Sequence, residues 1–178
     1  MRGSHRVAGF TLMELLTVIV ITGILMSMII PIYTGLRGKA ERGACAQNLY
    51  SLYAAGSAYV RDQGHWPQIP TKDVGKPSYS AAWVRAFEPY NIGEDNWACP
   101  TIKRMFGSAT AGTKPLEERA RIDYFATPFD DNPVSPTRYP TQPWFVERGD
   151  PHGDGNLLIF ANGQLSSLGE YKRAASKP

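Results

Sequence analysis

Two groups of side chains in this 178-residue sequence stand out for the chemistry they could do. The first is a single carboxylate, Glu14, at the head of 22 consecutive residues, Leu15 to Leu36, that carry no charge. An acid at the centre of a bilayer costs about 2.5–3.5 kcal/mol, and less towards an interface. Two readings of Glu14 follow. One is a first-turn glutamate that favours the helix dipole and reaches for the headgroups. The other is a carboxylate matched to a cation supplied by a neighbouring chain. The second group is the only cysteine pair, Cys45 and Cys99.

A third group is weaker. Asp150, His152, Asp154 and Asn156 alternate as oxygen and nitrogen donors, with Gly153 and Gly155 between them. Asp150, Asp154 and Asn156 make part of a calcium-loop pattern, but the terminal glutamate of an EF-hand is missing, because residue 161 is alanine. The main reading is a solvated Gly/Asp turn, and calcium is the alternative. The sequence has no nucleophile elbow, His-Glu-x-x-His or phosphate loop, so no catalytic residue is assigned and no enzyme activity is expected.

These groups must be positioned by a chain that is 43% hydrophobic, 11% aromatic and 20% charged, with mean hydropathy −0.29. That profile argues against disorder and against a disulfide-dense miniprotein. A 22-residue helix rises about 33 Å, enough to cross roughly 30 Å of hydrocarbon. No second segment is long and apolar enough, which excludes a multi-pass protein. Arg2, His5 and Arg6 give a basic start, yet the apolar run is too long for a signal-peptide core and no Ala-x-Ala-like site follows it. The basic start should stay in the cytoplasm, which places everything after Tyr33 outside. On that side thiols oxidise, so Cys45 and Cys99 are expected to form a disulfide. The bridge would close a loop of about 54 residues, worth roughly 4 kcal/mol. Neither cysteine is read as a metal ligand. The net charge of +3 is too small and dispersed to point to nucleic acid.

Gly9-Phe10-Thr11-Leu12-Met13-Glu14, followed by Leu15 to Ile21, resembles the cleavage and methylation segment of type IV prepilins and type II secretion pseudopilins. The resemblance implies that a prepilin peptidase cuts between Gly9 and Phe10 and methylates the new amino group of Phe10. It implies that Glu14 pairs with the Phe10 ammonium of an adjacent subunit. Pro31 falls where that family often places a helix-kinking proline. Major pseudopilins often bind calcium late in the head, which strengthens the calcium alternative for Asp150, Asp154 and Asn156.

The division expected from this is a leader at 1–9, a transmembrane and polymerisation half-helix at 10–36, an amphipathic half-helix at 37–63 and a periplasmic head at 64–178. Cys45, Leu49, Leu52, Gly56 and Tyr59 form a helical stripe that must face something packed, and Gly64 should end the helix. Thirteen of fourteen prolines and all four tryptophans follow Gly64. The head should therefore be loop-rich, with the tryptophans in its core rather than on a carbohydrate-binding surface. Helices are expected near Tyr79–Phe87 and Pro115–Arg121, and a strand at Tyr124–Ala126. A hairpin is expected over Asn156–Phe160 and Gln164–Leu168, turning at Asn162-Gly163. The tail from Gly169 should fray. The fold class is α+β and pilin-like, with a small antiparallel sheet on the long helix.

His152, nine residues and then Asn162-Gly163 resemble the His–nine–Asp-Gly signature of prepilin-type proteins from planctomycete-like bacteria. Asparagine in place of aspartate favours a turn role. The function implied is a filament subunit, first of all a pseudopilin of a type II secretion system. Its partners would be a prepilin peptidase, further copies of the chain, minor pilins and an inner-membrane assembly platform. The alternatives are a type IV pilus subunit or a signal-anchored periplasmic binding module. Loss of Arg2 and Arg6 takes Lys plus Arg from 19 to 17 against 16 acidic residues, too even a balance for DNA uptake.

Overall fold

A computed structural model describes residues 10–107, 114–129, 135–153 and 155–175. The architecture is α+β: one long helix followed by a head with a four-stranded antiparallel sheet. Helix α1, Leu12–Gln63, is continuous through Pro31. It stops where the sequence says it should. Gly64 takes a left-handed φ of 77°, and its amide donates to the Val60 carbonyl at 2.8 Å.

The chain divides into two units, one ending at Lys39 and the other beginning at Ala40. In the first, the apolar side chains of α1 are exposed all round, from Leu12 at 79% to Leu16 at 46%. An 18-residue window of this helix has mean hydropathy 2.6, long and apolar enough to cross a membrane.

In the second unit α1 turns amphipathic. Cys45, Leu49 and Leu52 are fully buried, with Ala55 and Gly56 beside them. Helix α2, Pro77–Phe87, begins with proline at its first position and buries Tyr79, Trp83, Val84 and Phe87. Helix α3, Pro100–Phe106, starts in the same way directly after Cys99, and α4, Leu116–Arg119, is a single turn. The strands are β1 Tyr124–Ala126, β2 Pro143–Glu147, β3 Leu157–Phe160 and β4 Leu165–Ser167, in the order β1-β2-β3-β4. Tyr124 pairs with Glu147, Val146 with Leu158, and Leu157 with Ser167.

The tryptophans are core, as expected. Trp66, Trp83, Trp97 and Trp144 are at most 2% exposed and interlock with Phe87 and Phe145. Trp66 sits at the centre, 4.9 Å from Trp144 and 5.6 Å from Phe145 between ring centroids. Its indole N–H donates to the Thr127 carbonyl at 3.0 Å. Such tilted and edge-on pairs suit the ring quadrupoles.

Three elements depart from the sequence reading. The central strand β2 was not foreseen, because it opens at Pro143; a first position is one of the few a strand allows proline. Helix α3 was likewise unforeseen. The tail does not fray from Gly169: Leu168–Ala175 forms helix α5. Ser167 caps it, its hydroxyl accepting the Glu170 N–H at 3.2 Å while Glu170 Oε2 accepts the Ser167 N–H at 3.1 Å. Tyr171 then packs on Phe160, 5.7 Å between centroids.

Candidate functional site

The start of α1 is built by Thr11-Leu12-Met13-Glu14. Thr11 Oγ1 accepts the Glu14 N–H at 3.2 Å, and Glu14 Oε2 accepts the Thr11 N–H at 2.9 Å and the Thr11 hydroxyl at 2.8 Å. This reciprocal capping box satisfies two of the donors that a helix start leaves open. Among the described residues, only Thr11 bonds the Glu14 carboxylate. Phe10, one residue before the box, is 80% exposed. Gly9, the other side of the expected cleavage point, lies outside the described residues.

The head contains a second constellation. Cys45 comes from α1, Cys99 from the residue just before α3, Glu147 from the end of β2 and His152 from the loop that follows. One ligand atom from each lies within 4.8 Å of every other. The thiols are free, with Sγ atoms 2.7 Å apart. Cys99 Sγ lies 3.4 Å from Glu147 Oε1 and 4.0 Å from His152 Nε2. His152 Nε2 is 3.2 Å from Glu147 Oε1, with both side chains at least 96% buried.

Neighbouring groups hold the cluster. The Cys99 N–H donates to Asp123 Oδ2 at 3.0 Å, and the Leu157 N–H to Glu147 Oε2 at 3.2 Å. Asn156 Nδ2 donates to the Glu147 carbonyl at 2.9 Å, and Asn48 Nδ2 to the Ala98 carbonyl at 3.1 Å. The hydrogen bond between the thiols pulls Cys99 below the ordinary thiol range and pushes Cys45 above it, so Cys99 ionises first. Burial raises the Asp123 carboxyl and, more strongly, the Tyr124 phenol.

The structure thus brings Cys45 and Cys99 together and adds Glu147, which sequence reasoning passed over, and His152, which it had not linked to the cysteines. Glu147 carried one signal: it is the only charged residue in the otherwise apolar strand Pro-Trp-Phe-Val-Glu. His152 was read as one of the alternating donors at 150–156 and as the start of a spaced motif, not as a neighbour of the cysteines. The oxygen ligands expected for calcium fall differently. Asp150 is exposed, the Asn156 amide is turned towards the Glu147 carbonyl, and Asp154 lies outside the described residues.

Asn162 and Gly163 sit in the β3–β4 reversal, where the Gly163 N–H donates to the Phe160 carbonyl at 2.9 Å. Only Gly163 takes a positive φ, 78°. Asn162 acts through its side chain instead, Oδ1 accepting the Gln164 N–H at 2.9 Å. A Cβ on Gly163 would also meet the Tyr53 ring at 3.2 Å.

Comparison with known proteins bears on both ends of the chain. Residues 4–30 match the family model for the prokaryotic N-terminal methylation motif. The type II secretion system core protein G of Escherichia coli K12 is 36% identical over 67 residues, 38% of this chain and 46% of that protein. The chain therefore spans about half the length of that relative. The core protein G of Dickeya chrysanthemi is 26% identical over 152 residues, 85% of this chain and 95% of the relative. No solved structure matches. The protein of the same name from Vibrio cholerae serotype O1 is 33% identical over 125 residues, 70% of this chain and 82% of its own. With a third of the aligned residues identical across 82% of that relative, and the methylation motif at residues 4–30, the chain belongs to the type II secretion core protein G family, the pseudopilins.

Proposed function

We propose that this chain is a structural subunit of a type II secretion pseudopilus. A prepilin peptidase cuts it between Gly9 and Phe10 and methylates Phe10. The membrane-anchored subunit, with its head in the periplasm, then joins other copies and minor pseudopilins on an inner-membrane assembly platform. The role is mechanical support of protein secretion rather than catalysis.

One observation carries this reading. The apolar half of α1 is bare on every face, and the single acid at its head is held only by its own Thr11 among the described residues. Burying each such Leu or Ile side chain yields about 1.5–3 kcal/mol, so this surface demands lipid first and neighbouring helices afterwards. In the subunit, the capping box keeps the Glu14 carboxylate tolerable at the edge of the bilayer. In the filament, the Phe10 ammonium of the next copy takes a place on that carboxylate, and two charges enter the filament core as a pair.

The box also gives a clean test. Glutamine serves a capping box as well as glutamate does, but carries no charge. Glu14→Gln should therefore insert into the membrane and be cleaved normally, yet fail to form sedimentable filaments when co-expressed with the secretion machinery. Glu14→Ala should fail likewise. Filament yields equal to the parent for both variants would overturn the assembly role of Glu14.

A further inference from the structure

Cys45, Cys99, Glu147 and His152 come from four separate elements and converge in the interior of the head. We propose that they bind one divalent ion of the zinc type, which fastens the amphipathic half of α1 to the start of α3 and to the end of strand β2.

The donor set is the first argument. Two thiolates, one imidazole and one carboxylate form a borderline-soft tetrahedral set that suits zinc, whereas calcium requires six or more oxygens. Zinc bonds of about 2.3 Å to sulfur and 2.0–2.2 Å to nitrogen or oxygen put tetrahedral ligands about 3.3–3.8 Å apart. Glu147 Oε1 to His152 Nε2 is 3.2 Å and Cys99 Sγ to Glu147 Oε1 is 3.4 Å. Cys99 Sγ to His152 Nε2 is 4.0 Å. The two sulfurs, 2.7 Å apart, must open by about 1 Å, a side-chain rotation at two thiols.

Burial is the second argument. A carboxylate whose side chain is 0% exposed needs a positive partner. A disulfide would use the two sulfurs and leave the Glu147 carboxylate with one imidazole and the Leu157 amide. An ion satisfies all four groups together, and the two thiols release their protons to solvent as it binds. The supports are of the kind that metal ligands have. The Leu157 amide holds the second oxygen of Glu147, and Asp123 fixes the backbone of Cys99. With four protein ligands and no open position the site is structural, and holding both sulfurs as thiolates shields them from oxidation.

The test uses the full chain extracted in mild detergent without chelator. It combines zinc analysis, intact mass, thiol titration after denaturation and exchange with cobalt(II) alone. The expected result is about one zinc per chain, two free thiols once denatured, and cobalt(II) absorption characteristic of tetrahedral thiolate ligation. His152→Ala and Glu147→Gln should each lower zinc affinity by at least 10-fold while both thiols stay free. A chain lighter by two hydrogens, with no titratable thiol and no zinc, would overturn the proposal in favour of a Cys45–Cys99 disulfide. So would a chain with both thiols free that takes up neither metal.

Discussion

Gly56 lies on the buried face of α1, directly beneath the tryptophan cluster. A methyl group there would stand 3.1 and 3.2 Å from the Trp66 ring and 3.5 Å from Phe145. Trp66 cannot retreat, because Trp144, Phe145 and Trp83 surround it. Two effects oppose each other in Gly56→Ala. Helix propensity favours alanine by up to about 1 kcal/mol, whereas overpacking a rigid core costs about 1–3 kcal/mol. Overpacking wins, and denaturant unfolding should show a net loss of about 1 kcal/mol together with a changed near-ultraviolet tryptophan signal. Gly56 was visible in the sequence as a member of the helical stripe, but the need for a small residue was not. That need arises from Trp66, which reaches the same place after the chain has reversed. The Cys–Cys–Glu–His cluster was hidden for the same reason. Cys45 and Cys99 are 54 residues apart and Glu147 is 48 further on, so no local spacing announces them.

At the scale of elements, local patterns were readable and element starts less so. β1 at Tyr124–Ala126 and the β3–β4 hairpin follow from short apolar runs and an Asn-Gly reversal. β2 was not foreseen because Pro140 just before it and Pro143 at its first position argued for a loop. Helix α5 was legible after all: Ser167-Leu168-Gly169-Glu170 is a capping box, masked by the glycine inside it. The Ser167 N–H draws the Glu170 carboxyl below the ordinary glutamate value of 4.5. A depressed folded value means that the contribution is complete above the unfolded value and disappears as pH falls through the folded one. Hydrogen exchange at the Ser167 amide should therefore be slow at neutral pH, stay slow through pH 4.5, and lose protection only below it once intrinsic exchange rates are allowed for. Glu170→Ala should lose that protection at every pH while global unfolding barely changes. An amide equally protected in the variant would show that Glu170 is not the cap.

At the scale of the whole molecule, one chain serves two solvents. Up to Lys39 the described residues expose Leu, Ile, Val and Met on every face; from Ala40 onward they enclose an aromatic core. The first behaviour was plain from 22 uncharged residues, because membrane length is a property of composition and needs no tertiary contact. The second was foreseen in outline, as the stripe at Cys45, Leu49 and Leu52, a tryptophan core and a small antiparallel sheet. Which strands cover that stripe depends on long-range pairing that no short window contains. The full chain should partition into membranes and need detergent for extraction, whereas a chain without residues 1–39 should not. Recovery of the shortened chain in the membrane fraction would point to a second lipid-binding surface.

The central claim is that this is a processed filament subunit, and the N-terminus of the membrane-extracted protein tests it most directly. Intact mass and N-terminal sequencing, with and without an active prepilin peptidase, should give a mature chain that begins at N-methylated Phe10 only when the peptidase is present. A chain that keeps Met1 beside an active peptidase would contradict the account and leave α1 as no more than an anchor for the head.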